Sequence, residues 1–243
     1  VGLWFCRAVF GRAAWLSFER VFDLVRLKHM AVVNTDILIR SVLLQAVFVS
    51  FMFYGADFGD VQLAANQILM QFLYVTAYAL DGFAFAAEAL VGNALGARAR
   101  AALRRGAMLS SFWGLVICAG LSLSFAIFGA GAIELMTTAT DVQDAAKTYL
   151  PYMVAAPLVG VAAWMLDGIF IGATRTTDMR NMMIVSVAIY FASVIPLMAV
   201  FANHGLWMAM LLSFIVRGAT LAWKYPALEA EADKAASGPV AAT

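Results

Sequence analysis

Long, nearly uninterrupted runs of apolar residues dominate the chain, and short segments rich in Gly, Asn, Asp and Thr separate them. Each run has about the 20 residues that an α-helix needs to cross a hydrocarbon core of about 30 Å. The runs predict membrane spans at residues 37–56, 61–95, 106–133, 148–174, 181–202 and 206–225. No stretch alternates polar and apolar residues with a period of two, so we expect an all-α bundle rather than a membrane barrel.

The composition supports a membrane protein and excludes several other classes. Of the 243 residues, 64% are hydrophobic and 13% are charged, and the mean hydropathy is +0.87. A soluble domain carries about a quarter charged residues, so a soluble enzyme and a disordered chain are excluded as descriptions of the whole. The net charge of +1 gives no preference for nucleic acid. Cys6 and Cys118 form no CxxC pair, and we expect no metal, no cofactor and no enzymatic activity.

Basic residues lie almost entirely in the connections on one side of the predicted bundle. The bases on that side are Arg7, Arg12, Arg20, Arg26, Lys28, Arg98, Arg100, Arg104, Arg105, Arg175, Arg180, Lys224 and Lys234. The opposite connections carry one base, Lys147. By the positive-inside rule we expect a multi-pass protein of the plasma (inner) membrane, with both ends of this chain in the cytoplasm.

The two ends of the chain have a different pattern from the spans. Residues 1–36 begin with an apolar segment, which we interpret as the end of a preceding transmembrane helix, and continue as a cytoplasmic amphipathic linker. The linker is either an in-plane helix at the membrane interface or a helix packed on the bundle. Residues 226–243 have no apolar face, which predicts a disordered cytoplasmic tail.

Four ionisable residues stand out well inside the predicted spans, where each costs about 2.5–3.5 kcal/mol or more unless it has a partner, water or a task. They are Asp81, Glu88, Asp167 and Arg217. One interpretation of Asp81 and Asp167 is a pair of carboxylates that handle protons or cations in a cavity, and the other is that they cap backbone groups and fix helix packing. Glu88 shares a helix face with Asp81, and it either takes part or pairs with a loop arginine. Arg217 either snorkels inward or neutralises a buried carboxylate.

A short motif surrounds both aspartates. Leu80-Asp81-Gly82 and Leu166-Asp167-Gly168 each lie on a helix that runs towards an arginine-containing loop. Asp81 is about 25 Å of helix rise before Arg98, and the repetition predicts a comparable position for Asp167. The glycine after each aspartate permits either close helix approach or a local backbone opening that the carboxylate could cap.

Uncharged polar side chains provide further candidates for a cavity lining. Gln45 lies on the first span, and Asn66 and Gln67 lie on the second. They either line the cavity or form hydrogen bonds between helices, each worth less than about 1 kcal/mol. Arg40 follows Asp36 by one helical turn, and we expect it to snorkel or to pair locally.

Two segments together resemble one family of transporters. LDGFAFAAEALVGNALGAR (residues 80–98) and LDGIFIGATRTTDMRN (residues 166–181) closely resemble the DinF-like branch of the multidrug and toxic compound extrusion (MATE) family. The resemblance implies a transporter of twelve helices in two six-helix lobes, of which this chain corresponds to the second, C-terminal lobe. The N-terminal lobe, missing here, is then a partner, together with the lipid bilayer.

The resemblance also implies an activity. Members of the family are antiporters that export organic cations and other amphipathic compounds by alternating access in exchange for H⁺ or Na⁺. The sodium-coupled branch has a carboxylate on the helix that corresponds to the first span, which here offers Gln45 and no interior acid, so H⁺ is favoured. The alternatives are a lipid or polysaccharide flippase of the same superfamily, which would have more basic residues in its cavity than Arg217, and a non-transporting membrane fragment.

Overall fold

The computed structural model describes residues 22–237, with side-chain environments for residues 22–230, and this part of the chain forms six long helices without a strand. They are α1 (Leu24–Ala56), α2 (Asp60–Gly96), α3 (Arg100–Met136), α4 (Thr140–Gly172), α5 (Thr176–Phe201) and α6 (Asn203–Ser237). Each helix is long and apolar enough to cross a membrane. The predicted all-α, six-helix membrane fold is confirmed.

The centre of the bundle is α4, which packs along α2, α3 and α6, while α5 packs against α6 and α1. By contrast, α1 and α3 lie at the periphery and leave most of their apolar side chains uncovered. On α3, for example, Leu123, Ile127 and Phe128 are all exposed. An apolar surface of this extent is unusual for a protein in water and suits contact with hydrocarbon.

The α2–α3 and α4–α5 turns lie at the same end of the bundle, which carries Arg98, Arg100, Arg175 and Arg180 and is called the arginine-rich end. The two turns share one hydrogen-bond pattern. Arg98 and Thr174 adopt positive φ angles of 54° and 55° just after the helix ends. The next residue in each turn then donates its N–H to a helix carbonyl at 2.9 Å, from Ala99 to Ala94 and from Arg175 to Phe170. The two turns are therefore equivalent, and they match Gly96 at the end of α2 with Gly172 at the end of α4.

This equivalence shows that the two Leu-Asp-Gly motifs do not occupy comparable positions. Asp81 lies about 22 Å of helix rise before Gly96, whereas Asp167 lies only about 8 Å before Gly172. The prediction of matching depths is wrong, because the distance from the motif to the turn sets the depth, and that distance differs between the helices. Asp81 is far from the arginine-rich end, and Asp167 is near it.

The first helix begins earlier than the predicted span. Asp23 is its N-cap, because Asp23 Oδ1 accepts hydrogen bonds from the N–H groups of Val25 and Arg26 at 3.0 and 3.3 Å. Residues 24–36, assigned to the linker from sequence, thus continue into the first span as one helix. The rest of the predicted linker, residues 1–21, lies outside the described residues.

The last helix continues past the predicted end of its span. It passes through Pro226 and ends at Ser237. The prediction of a disordered tail from residue 226 is wrong for this segment, because Leu228 packs in the core and the buried Glu229 pairs with Arg100. Residues 238–243 lie outside the described part of the chain.

Glycines allow α2 and α4 to approach each other closely. A Cβ atom at Gly168 would lie 2.5 Å from the Ala84 carbonyl oxygen, and one at Gly172 would overlap the Glu88 backbone. Small residues at this spacing permit backbone contact between membrane helices. Close approach at the glycine after the aspartate is therefore confirmed for Gly168. It is wrong for Gly82, where a Cβ would meet nothing within 4 Å.

Gly168→Ala should consequently destabilise the bundle, whereas Gly82→Ala should not. A methyl group at residue 168 would force α2 and α4 apart, at a cost of about 1–3 kcal/mol. At residue 82 it has space and removes a helix-interior glycine, a gain of about 0.5–1 kcal/mol. Thermal unfolding of both variants in detergent tests this. Equal melting temperatures for the two variants would contradict the close contact.

Candidate functional site

Asp167 of α4 is buried between two arginines from different helices. Arg40 of α1 donates a hydrogen bond from Nη2 to Asp167 Oδ2, and Arg217 Nη2 of α6 lies 3.9 Å from the same oxygen. The Arg217 side chain is only 3% exposed, and its guanidinium group lies 6.0 Å from the Trp164 ring centre and 5.7 Å from that of Phe214. One carboxylate thus joins α1, α4 and α6.

The cluster settles two of the alternatives left open by the sequence. Arg217 neutralises a buried carboxylate and does not snorkel. The local pairing of Arg40 with Asp36 is wrong, since Arg40 reaches across the bundle to Asp167. A base within a span needs a counter-charge, and the folded chain supplies it from a helix that is distant in sequence.

Asp36 instead links the arginine-rich ends of α1 and α5. It is 1% exposed, its Oδ2 accepts hydrogen bonds from Thr176 Oγ1 at 3.1 Å and Thr177 Oγ1 at 2.7 Å, and its Oδ1 pairs with Arg180 Nη1 at 2.5 Å. The two threonines lie in the first turn of α5, where the helix dipole favours a negative charge. Asp36 therefore has four favourable interactions that fix α1 on α5.

Asn66, predicted to line a cavity, is fully buried. It forms a reciprocal amide pair with Asn203 at 2.8 and 3.0 Å, and its Oδ1 also accepts a hydrogen bond from Trp207 Nε1 at 3.0 Å. The cavity assignment of Asn66 is wrong, because these contacts use its polar atoms to join α2 to the beginning of α6. The inter-helix hydrogen-bond alternative is correct for this residue.

A second face of α2 carries polar and aromatic side chains that the described part of the chain covers only in part. Alternating steps of four and three residues place them in one row along the helix. This row, the α2 stripe, consists of Gln67, Gln71, Tyr74, Tyr78, Asp81, Phe85 and Glu88. Every member is exposed or half-buried, with Tyr78 at 73% and Phe85 at 66%. The stripe is about 30 Å long, the thickness of a hydrocarbon core.

A groove lies between α1 and the first half of the α2 stripe. It has a volume of about 360 Å³, and its lining includes Gln45 and Phe48 of α1 and Gln67 and Tyr74 of α2. A neighbouring recess of about 180 Å³ shares Gln67 and Tyr74 and adds Gln71. The fold thus brings Gln45 and Gln67 together, as expected for a cavity lining, and no charged side chain lines this groove.

Asp81 and Glu88 both lie on the stripe, beyond the groove. Neither carboxylate has a hydrogen bond or ion pair with another residue of the described part of the chain, in contrast to Asp167 and Asp36. Glu88 lines a shallow cleft between α2 and α4 together with Asn93 and Thr174. Within the described residues, no group of three or more His, Cys, Asp or Glu side chains is arranged to hold a metal ion.

Comparisons with known proteins identify the family. Residues 37–197, well over half of the chain, match the MatE family. The chain is also 39% identical over 201 residues to DNA damage-inducible protein F of Escherichia coli. The chain belongs to the MatE family. This family consists of polytopic membrane transporters rather than enzymes. The aligned region covers 80% of this chain but 42% of the relative, so the chain spans less than half the length of that protein.

Sequence reasoning missed several residues that matter in this MatE chain. Asp36 was considered only as a neighbour of Arg40. Asn203 falls between the predicted spans 181–202 and 206–225, although α6 begins there. The pairing of Arg40 and Arg217 could have been predicted. Each is a base within a span and requires a carboxylate at a similar depth, and Asp167, near the arginine-rich end, meets that condition. No comparable signal pairs Asn66 with Asn203, because amides have many possible partners.

Asp167→Asn should strongly destabilise the fold. The amide leaves the buried Arg217 and the half-buried Arg40 without a counter-charge, which costs about 3–5 kcal/mol. Asp81→Asn is the matched control and should unfold like the parent protein, because Asp81 has no partner among the described residues. Thermal unfolding in detergent measures both.

A double variant makes the cause specific. Asp167→Asn combined with Arg217→Met removes one of the unpaired charges and should recover part of the lost stability. Parental stability of the single Asp167→Asn variant, or no recovery in the double variant, would contradict the role of Asp167 as a shared counter-charge.

Proposed function

We propose that this chain forms the second six-helix lobe of a secondary active antiporter that exports organic cations or amphipathic compounds in exchange for H⁺. The observation that carries the proposal is the α2 stripe of a MatE family member, a row of amide, aromatic and carboxylate side chains that its own bundle leaves exposed or half-buried. Facing lipid, those polar groups would be costly. Facing a second lobe across a water-filled cleft, they become one wall of a transport path.

The chemistry of the groove supports an amphipathic substrate. Gln45, Gln67 and Gln71 offer amide donors and acceptors, while Phe48 and Tyr74 offer ring surfaces in edge-to-face contact, with centroids 6.2 Å apart. Aromatic and amide groups bind a planar apolar body or a diffuse cation without the desolvation cost of a fixed charge. The groove has no acidic residue, so selectivity for strongly cationic substrates would come from the other lobe.

Asp81 is the preferred proton-carrying group of this lobe. It is half-buried on the α2 stripe, far from the arginine-rich end, and without a partner among the described residues. Asp167 suits that role less well, because protonating it would leave Arg40 and Arg217 without their shared counter-charge. We therefore assign coupling to Asp81, with Glu88 as the next acid along the stripe, and a structural role to Asp167.

Protons are preferred to sodium ions for a geometric reason. Na⁺ binding needs several oxygen ligands around one point, whereas a proton needs one accessible carboxylate. Within residues 37–56 of α1 there is no acid, and Gln45 is the residue of this segment that supplies an amide to the groove lining. The single carboxylate of Asp81 is therefore sufficient for proton exchange and insufficient for a sodium site.

The orientation proposed for the lobe follows from its charges. The arginine-rich end of the bundle, with the α2–α3 and α4–α5 turns, carries nearly all the basic residues. In this proposal it lies on the cytoplasmic side of the plasma membrane, together with both termini of the chain. The flippase alternative gains no support from the described groove, because the two arginines inside the bundle are committed to Asp167 rather than to a cavity.

Reconstitution of the complete transporter into proteoliposomes tests the coupling assignment. Asp81→Asn should abolish proton release driven by a fluorescent amphipathic cation, because the neutral amide cannot exchange a proton. Asp81→Glu should retain it, since the titratable group remains. Asp60→Asn is the matched control, because Asp60 is an exposed acid at the first turn of the same helix, and it should transport normally.

Drug-driven proton release by correctly folded Asp81→Asn protein, at the rate of the Asp60→Asn control, would overturn the assignment. A Na⁺ gradient that drives efflux when no proton gradient is present would overturn the choice of coupling ion. Absence of efflux in the parent protein, with flipping of a labelled lipid instead, would favour the flippase.

A further inference from the structure

The cleft between α2 and α4 extends from the arginine-rich end of the bundle towards Asp81. Its volume is about 500 Å³, and its lining includes Phe85, Glu88 and Asn93 of α2 together with Thr174 of the α4–α5 turn. From Asn93 to Phe85 it covers about 12 Å of α2. Phe85 follows Asp81 by one helical turn on the α2 stripe, so the cleft ends about 6 Å of helix rise short of Asp81.

Glu88 is the titratable group of this cleft. No other described residue that lines the cleft is an acid or a base. Glu88 is half-buried, and its carboxylate has no hydrogen bond or ion pair with another described residue. The charged groups around the cleft lie outside its lining. Arg98 is exposed in the α2–α3 turn, Arg175 pairs with Asp178, and Asp167 of the facing helix is held by arginines of α1 and α6.

Asp81 lies between this cleft and the groove that α2 forms with α1. The groove-lining residue nearest to Asp81 in α2 is Tyr74, seven residues before it, whereas Phe85 of the cleft is four residues after it. The exposed rings of Tyr78 and Phe85 thus flank Asp81 on the α2 stripe. A carboxyl group in this position is close to the proposed substrate on one side and to a path towards the arginine-rich end on the other.

We propose that Glu88 receives the proton of Asp81 and releases it to the cytoplasm through this cleft. The inference rests on the proposed function, in which Asp81 carries the proton. About 10 Å of helix rise separates the two residues, so the proton passes through water in the cleft. A carboxylate on this path spares a free hydronium ion, whose charge is costly near hydrocarbon.

The transfer leaves both acids as they began. The O–H bond of the Asp81 carboxyl group breaks, and the water between the residues passes a proton on until an O–H bond forms on Glu88. Glu88 then loses this proton to cytoplasmic water or buffer. Both side chains are carboxylates again, and no oxidant, reductant or bound ion takes part.

The experiment mixes the complete transporter, protonated in detergent, with tetraphenylphosphonium and follows proton release with a pH-indicator dye in a stopped-flow instrument. The total release reports the proton on Asp81, and the rate reports its exit path. Glu88→Gln should slow release about 100-fold with an unchanged total, the low end of what a positioned acid–base group contributes. Glu88→Asp should keep most of the rate. Asp60→Asn, which changes an exposed acid at the other end of the same helix, is the matched control and should release protons like the parent.

Imidazole distinguishes a proton path from a structural role of Glu88. It is a small diffusible base that can enter the cleft, so an excess of imidazole should restore the rate of Glu88→Gln without changing that of the parent. Asn93→Trp tests the cleft itself. Asn93 is exposed, so the larger side chain fills the cleft without disturbing the core, and it should slow release in a way that imidazole does not restore.

Release by Glu88→Gln at the rate of Asp60→Asn would overturn the inference, and so would slow release that imidazole fails to restore. Rapid release by Asn93→Trp would overturn the role of the cleft. A different pair of results concerns the proposed function: no release from the parent protein, or a full total from Asp81→Asn, would contradict proton carriage by Asp81 and leave Glu88 nothing to relay.

Discussion

A charge or an amide in hydrocarbon must find a partner within the protein, and this requirement organises the bundle. Asp167 meets this requirement through two arginines, and the cluster joins α1, α4 and α6. Asp36 joins α1 to α5 through Arg180, and Asn66 joins α2 to α6 through Asn203. These contacts hold the helices in place where apolar packing alone provides little specificity, because lipid is as apolar as the side chains.

Polar side chains of the spans that have no partner within the described part of the chain therefore indicate a surface with another role. The close contact of α2 with α4 at Gly168 and Gly172 uses one face of α2. The α2 stripe lies beside that face and is covered only in part, since Tyr74 meets Phe48 of α1 and Glu88 borders the contact with α4. Asp36 and Asp167 each pair with an arginine, whereas Asp81 and Glu88 have no charge partner among the described residues, which is why we connect the stripe with transport.

Sequence predicts the helices well and their contacts poorly. Six long apolar runs define six helices, because hydrocarbon permits little else. Membership of the MATE family was also recognisable from residues 80–98 and 166–181. The partners of Arg40, Asn66 and Asp167 depend instead on which helix faces meet, and periodicity within one helix does not give that. The repeated Leu-Asp-Gly motif was misleading because Asp81 and Asp167 lie at different distances from equivalent turns.

A transport role requires that the α2 stripe faces water rather than lipid, and cysteine accessibility in the native membrane tests this most directly. In a cysteine-free background, single cysteines would replace Gln71, Tyr78 and Phe85 on the stripe, and Leu115 and Leu123 on the exposed face of α3. We predict that a water-soluble methanethiosulfonate reagent modifies the three stripe positions and neither α3 position. Stripe cysteines as unreactive as those of α3 would contradict the account.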